Sequence, residues 1–530
     1  MNNNELHTKE NKSYIFLFIG IAVALGIFIG SFLDYKQSYS ANFQQSSSET
    51  KLKKLINYIE HDYVDKVNKD SLLDGAITQI MKNLDPHSVY IPKSELTSIQ
   101  ESMNGSFKGI GISFRVIRDT VTVLNVIEGG PSEKAGLLDG DRILIANNDT
   151  LFGKHFLSSD IMKRLKGEGG SSVSLKIYRK QTDSILDFDF KRGDVNLVSV
   201  PVYYMLRKTI GYIQIERFAR NTYDEFHKAL IELKNQGMLT LVLDLRGNTG
   251  GYMDIANSII DEFLKDGKLI VFTKNKKEKI TKTFATDKGD FEDGNIYLLI
   301  DEESASASEI VAGALQDNDI GTIVGRRSFG KGLVQREMEL GDGSAIRLTT
   351  SRYYTPTGRS IQKPYTKGDS HYNEDRLNRI LSGELTHKDS IPIVDSLIYT
   401  TPKGKIVYGG GGIIPDVFVA KDTTLYYTNY HTINSNDFVF DYIDERRSLY
   451  ANLTWDTFNL TFDENALLKE YLALTKQDYH TSKANTDFMK LYLKALVARE
   501  LFGKTGYFRV WEERDLMLQK VLELENNKDK

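Results

Sequence analysis

Three serines, Ser304, Ser306 and Ser308, stand where the apolar run Ile296 to Ile300 gives way, through Asp301-Glu302-Glu303, to a helical stretch from Ile310 to Gln316. A hydroxyl at a helix N-terminus lies in the positive end of the dipole, where an oxyanion and a developing alkoxide are both stabilised. Such a run is most simply a set of helix caps. The next loop argues otherwise, because Lys331 lies between Gly330 and Gly332 just after the strand-like Gly321-Thr322-Ile323-Val324-Gly325. A serine hydroxyl is a weak nucleophile until a base takes its proton. None of the 9 histidines lies in a comparable motif, His227 and His371 being nearest to the Ser-to-Lys stretch, so lysine is the better candidate base. To act near neutral pH it must fall well below its ordinary pKa of about 10.4, which desolvation beside Phe329 and a helix dipole can supply. No His-Glu-x-x-His pattern or carboxylate cluster points to a metal, and no cofactor is expected.

Elements must bring these groups together. Leu241 to Leu245 runs as a strand into Arg246-Gly247-Asn248-Thr249-Gly250-Gly251 and then a helical stretch, a second β-turn-α junction whose glycines can expose backbone N–H groups. From about residue 194 to 420, strand-length apolar runs alternate with helical stretches, the pattern of an α/β layer structure. Residues 91–193 are different, with short β-rich runs such as GISFRVI, VTVLNVI and SVSLKIYR between turn residues. Residues 50–90 read as a small helical pair, the second helix capped by Ser71, and residues 421–530 as a helical extension.

The chain has 530 residues, room for two to four folded units at about 100–200 residues each. Hydrophobic residues make up 40% and charged residues 26%, enough apolar surface for sizeable cores. With 68 Lys+Arg against 72 Asp+Glu, the basic surface that nucleic acid demands is missing. The absence of cysteine excludes disulfides, thiolate metal sites and a Cys nucleophile. After the tail 1–13, residues 14–33 carry no charge and would span about 30 Å as a helix, long enough to cross a bilayer. The apolar core is longer than that of a cleavable signal, and Ser38-Tyr39-Ser40 is a poor cleavage site, so a retained transmembrane anchor is expected. Flanking lysines (Lys9 and Lys12 before, Lys36, Lys51 and Lys53 after) leave its orientation undecided.

Two resemblances follow from ordered motifs. Lys108-Gly109-Ile110-Gly111-Ile112, then Pro131-Ser132-Glu133-Lys134-Ala135-Gly136-Leu137 and Asp139-Gly140-Asp141-Arg142-Ile143, resemble a PDZ domain. The resemblance implies that Gly109, Ile110, Gly111 and Ile112 turn backbone N–H groups toward a peptide's terminal carboxylate, the peptide adding as a strand. Asp-Leu-Arg-Gly-Asn-x-Gly-Gly, Ser-Ala-Ser-Ala-Ser-Glu and Phe-Gly-Lys-Gly-x-Val-Gln, in this order around the embedded PDZ, resemble the C-terminal processing (tail-specific) proteases. That likeness runs from about Leu52 to Val419, taking in Asn83-Leu84-Asp85-Pro86-His87-Ser88 and Gly411-Gly412-Ile413-Ile414-Pro415-Asp416.

This resemblance implies an α/β spiral core, shared with crotonase-like and Clp-type proteases, with an inserted PDZ domain. It makes Ser306 the nucleophile, Lys331 the base 25 residues later and Gln335 the residue that orients it. The N–H groups of Ala307 and Gly251, rather than Gly250, would form the oxyanion hole. It also implies a serine endopeptidase acting on unstructured protein C-termini, with its catalytic part outside the cytoplasm of a bacterial cell, in the periplasm or cell envelope; together with the anchor expected at 14–33, this would hold the chain in the cytoplasmic membrane. A homo-oligomer or an adaptor protein is left open as a partner. The rival from another class is a non-proteolytic PDZ-containing binding or adaptor protein. An insertion-like segment, 367–400, departs from the family pattern.

Overall fold

The computed structural model describes residues 18–23, 25, 47–153, 155–365, 371–423, 434–475 and 483–528. The chain divides into two compact units, residues 1–79 and 80–530. The first contains the helix Ser47–Asp62 and most of the helix Lys69–Lys82. Ser71 lies inside the latter, its N–H donating to Asn68 Oδ1 at 3.1 Å, so Asn68 rather than Ser71 takes the capping position. Of the expected anchor 14–33, residues 18–23 and 25 are helical and exposed, and the rest lie outside the described residues. Among the described residues, no helix is long and apolar enough to cross a membrane.

The second unit is built on a six-stranded sheet, in the order Val202–Arg207, Ile210–Gln214, Thr240–Asp244, Asn295–Ile300, Gly321–Gly325 and Val417–Phe418. Its first pair is antiparallel and the rest are parallel. Parallel strands read as continuous apolar runs because both faces must be covered. Leu241, Leu243, Ile296, Leu298 and Ile323 point to one face, against the helices Thr222–Asn235, Met253–Asp261 and Ala307–Asp317. The alternate residues Val242, Tyr297, Leu299 and Val324 point to the other, where Met517, Leu518 and Val521 of the last helix, Leu516–Lys528, cover them. Pairing Thr240 with Asn295 and Leu243 with Leu298 aligns the carboxyl ends of two strands. The junctions 246–251 and 301–306 therefore emerge side by side, at the strand ends where α/β sheets place their ligands.

A second sheet is centred on Ala345–Tyr354, which pairs with Val89–Ile91, Leu269–Asn275 and Leu333–Glu339. The lysine loop leads directly into the last of these. The PDZ region has its own sheet, ordered Ile112–Ile117, Thr120–Val126, Arg142–Ala146, Ser172–Arg179 and Ser184–Lys191, around a separate core. It joins the rest through a two-stranded neck, Ser106–Gly109 against Gly193–Asn196.

Beyond the protease core, the helices Ser435–Tyr450, Trp455–Thr461, Glu464–Thr475 and the segment Lys483–Trp511, two helices joined by a kink at Phe502 and Gly503, enclose a further core with Phe438, Phe458, Tyr471 and Leu493 at its centre. This helical region also grips its neighbours. Asp444 takes Arg142 at 2.6 Å and Lys180 at 3.0 Å from the PDZ region, and Arg118 pairs with Asp441. Burial works against the Asp444 charge, but these two cations hold its carboxyl below the usual range. At its other end Asp515 pairs with Arg246 at 2.7 Å and Glu512 with Arg207 at 2.9 Å.

Candidate active site

Ser306 caps the buried helix Ala307–Asp317 with φ 57° and ψ −111°, a conformation that costs an L-residue on the order of 1–3 kcal/mol unless its surroundings impose it. They do so here. Its N–H donates to Glu309 Oε2 at 2.9 Å, and its carbonyl accepts from the Tyr353 hydroxyl at 3.1 Å. The flanking serines are structural, since Ser304 Oγ donates to the Leu245 carbonyl and Ser308 Oγ to the Asn248 carbonyl, both at 2.8 Å. They stitch the two junctions together and leave Ser306, half-buried, facing a cavity of about 490 Å³.

Gly250 and Gly251 line that cavity with Ala307. Both have positive φ, 103° and 148°, and a Cβ on Gly250 would lie 2.8 Å from Ser306 Cβ. A Cβ on Gly251 would meet the Phe218 carbonyl oxygen at 2.2 Å. The Gly250 N–H is committed to Asn248 Oδ1 at 2.8 Å. The N–H groups of Gly251 and Ala307 donate to no described group, which leaves this pair for an oxyanion.

Lys331 lines the same cavity. Its Nζ donates to Gln335 Oε1 at 2.9 Å, and among the described residues no hydrogen bond joins it to Ser306 Oγ. A bulge between Val334 and Gln335 interrupts the strand there, and Gln335 Nε2 donates to the His87 carbonyl. Burial, followed by the nearby Arg347 guanidinium, pushes the Lys331 amine down from its ordinary value, while Glu309 and Asp85 oppose this. Burial, and then Lys331, lowers His87 to about 4, so it is neutral near pH 7. Asp85 shapes the turn under Gln335, accepting from the His87 and Ser88 N–H groups at 2.9 Å each and from Thr349 Oγ1 at 3.1 Å.

Glu309 joins the Ser306 and Lys331 loops. Fully buried, it accepts from Ser306 N–H and Lys331 N–H on Oε2, and from Gly330 N–H and Ser328 Oγ on Oε1, at 2.5–2.9 Å. Burial nevertheless pushes its carboxyl upward. Glu309, Asp85, His87, Tyr353 and Arg347 carry roles that the sequence reading did not assign. For Glu309 a signal was present, since Ser306 to Glu309 has the spacing of a capping box.

In the PDZ region, Gly111 takes φ 82°, and its carbonyl accepts from Ile127 N–H at 3.0 Å. The Ile110 side chain is buried, and its carbonyl accepts from Ser132 N–H at 2.8 Å. Gly109 closes the neck opposite Gly193. Ile112 opens the strand Ile112–Ile117, which among the described residues pairs on one side alone, with Thr120–Val126. The outer edge offers unpaired backbone groups to an added strand. Among the described residues, His227, Glu262 and Asp290 are close enough together to hold a metal. Glu262, however, already accepts from Tyr223 OH at 2.6 Å and Asp290 N–H at 2.8 Å, and Lys234 stands 3.5 Å from Asp290.

Residues 209–372 match the family profile of peptidase family S41 and residues 109–189 that of the PDZ domain. Residues 30–95 match the activating protease CtpB N-terminal domain, and residues 426–503 a family of unknown function. The chain is 36% identical over 330 residues to the carboxy-terminal processing protease CtpB of Bacillus subtilis (strain 168), covering 61% of this chain and 67% of the relative. It is 34% identical over 345 residues to the carboxy-terminal-processing protease of Bartonella bacilliformis, covering 64% and 78%. Among solved structures, the photosystem II D1 C-terminal processing protease aligns at 25% identity over 70% of this chain and 87% of that one, with a TM-score of 0.36. The chain belongs to the C-terminal processing serine proteases of peptidase family S41, with an α/β protease core, a PDZ domain and a helical C-terminal region.

Proposed function

We propose that the protein is a membrane-anchored endopeptidase that captures the C-terminal tails of unstructured proteins with its PDZ domain and cuts them with a Ser306/Lys331 dyad. Ser306 Oγ attacks the scissile carbonyl while neutral Lys331 takes its proton. Gln335 orients the lysine, and the N–H groups of Gly251 and Ala307 receive the oxyanion. The loop from Gly109 to Ile112 holds the tail carboxylate, and the tail lies along Ile112–Ile117. Residues 14–33 hold the chain in a bacterial cytoplasmic membrane with the catalytic part in the periplasm or envelope.

The observation that supports this reading is one cavity shared by Ser306, two uncommitted N–H donors and a half-buried lysine whose basicity is lowered and whose amine is gripped by Gln335. The test is cleavage of an unstructured protein by wild type, Ser306→Ala, Lys331→Ala and Lys331→Arg. All three variants should be inactive with unchanged circular dichroism, because guanidinium stays protonated and cannot replace the amine. Chelators should have no effect. Activity remaining in Ser306→Ala would overturn the dyad. Amidating the substrate's C-terminus should weaken cleavage about tenfold or more by removing a charge-assisted contact. Equal cleavage of amide and free acid would remove the PDZ domain as tail receptor.

A further inference from the structure

Lys331 and Thr249 also line a second cavity, of about 380 Å³, whose wall does not include Ser306. Phe329, Tyr372, Ala305 and Leu385 supply its apolar wall, the Lys363 amine, paired with Asp375 at 3.0 Å, lies over the Phe329 and Tyr372 rings at 3.9 and 4.1 Å, and the ion pair of Arg376 and Glu303, 2.9 Å apart, also lines it. Tyr372, Arg376 and Leu385 all belong to the segment 367–400 that departs from the family pattern.

This wall is built into the catalytic loop. Arg379, 3% exposed, donates to Glu384 at 2.8 Å and to the Ser328 carbonyl at 3.2 Å, and Arg327 clasps Glu384 at 2.6 Å. Tyr372 stands edge-on to Phe329, and its hydroxyl is 2.8 Å from His87 Nε2. Leu385 is 4% exposed, and its carbonyl accepts from Lys421 N–H at 2.8 Å.

The chemistry gives this cavity a place in the reaction, on the dyad reading above. Ser306 Oγ bonds to the carbonyl carbon and its proton passes to Lys331 Nζ. When the tetrahedral intermediate collapses, the C–N bond breaks and Lys331 returns that proton to the departing amine. The departing nitrogen must therefore reach Lys331, while the carbonyl oxygen points to Gly251 and Ala307 in the first cavity. We infer that the second cavity is the subsite for the side chain immediately after the scissile bond, and that its Phe329-Tyr372-Leu385 lining selects an apolar or aromatic residue there.

The test uses the full chain and substrates identical except for Gly, Asp, Leu or Phe immediately after the scissile bond, with the cut located by mass spectrometry. Leu and Phe should exceed Gly in kcat/KM by about tenfold or more, as hydrophobic pockets discriminate. Leu385→Trp, which fills the cavity, should bring the Leu-to-Gly ratio close to one. Leu385→Ala, which enlarges it, should raise Phe above Leu, and it carries the test if the tryptophan variant does not fold. Equal rates on all four substrates, or ratios unchanged in the Leu385 variants, would overturn the subsite. If wild type cuts all four and Ser306→Ala cuts none, that failure leaves the dyad standing. If Ser306→Ala still cuts, the dyad itself has failed.

Discussion

Glu309→Gln probes how the Ser306 loop and the Lys331 loop are held in register. The carboxylate receives Ser306 N–H and Lys331 N–H on one oxygen, and Gly330 N–H and Ser328 Oγ on the other. A glutamine has one acceptor oxygen. Its best placement keeps that oxygen on Ser306 and Lys331 and turns the NH₂ toward Ser328, whose hydroxyl can rotate to accept. Gly330 N–H is then orphaned. One buried unsatisfied donor costs about 1–3 kcal/mol, and changing the other three bonds from charged to neutral loses about 1 kcal/mol each. A neutral amide escapes the burial cost of the carboxylate, which returns part of this and leaves about 2–4 kcal/mol. Hydrogen exchange read by mass spectrometry should therefore show the 326–336 amides opening about 30–1,000 times more readily than in wild type. A shift of about 1 Å between catalytic groups costs about 100-fold, so kcat should fall at least that far with KM little changed. Glu309→Asp, one methylene short of both loops, should not rescue it. Wild-type kcat together with unchanged exchange over 326–336 would refute the clasp.

Because burial depresses the folded-state pKa of Lys331, the unfolded chain keeps a proton that the fold sheds, so this lysine penalises stability below that pKa and the penalty fades as pH rises through it toward 10.5. Lys331→Met should thus be inactive yet melt at a higher temperature than wild type near pH 7, and a lower melting point would contradict this. His87, lowered from 6.5 to about 4, lets the unfolded state protonate first, so stability should fall by up to about 3 kcal/mol as pH drops across that window. Acid melts of His87→Gln should lack that part of the slope. Asp444→Ala leaves Arg142, Lys180 and Arg447 without their shared carboxylate; because the cations reach solvent, Lys180 being 43% exposed, the loss should be about 1–3 kcal/mol. Faster hydrogen exchange in Arg142–Ala146 and Ser435–Tyr450 is expected, and unchanged exchange in both would show that the clamp contributes nothing.

What could be read in the sequence was local. Ser304 to Glu309, Gly330-Lys331-Gly332 with Gln335, and Asn248 to Gly251 each lie within a few residues, where spacing alone shows a junction and the groups it can offer. The unbroken apolar run Leu241-Val242-Leu243 likewise announces a strand covered on both faces. What covers the second face was not legible, because Met517, Leu518 and Val521 arrive from far along the chain. The same limit hid the division of labour among the serines, since Ser304 and Ser308 find their partners on a strand end and turn about 60 residues away. It hid Glu309, whose donors come from two loops, and it made the segment 367–400 look like a mere insertion although Tyr372 and Leu385 stand beside Lys331. For residues 421–530 the sequence determined helices and little more. Only the tertiary structure sets Asp444 against Arg142 and Asp515 against Arg246, because an ion pair across hundreds of residues leaves no periodicity or spacing in the chain that makes it.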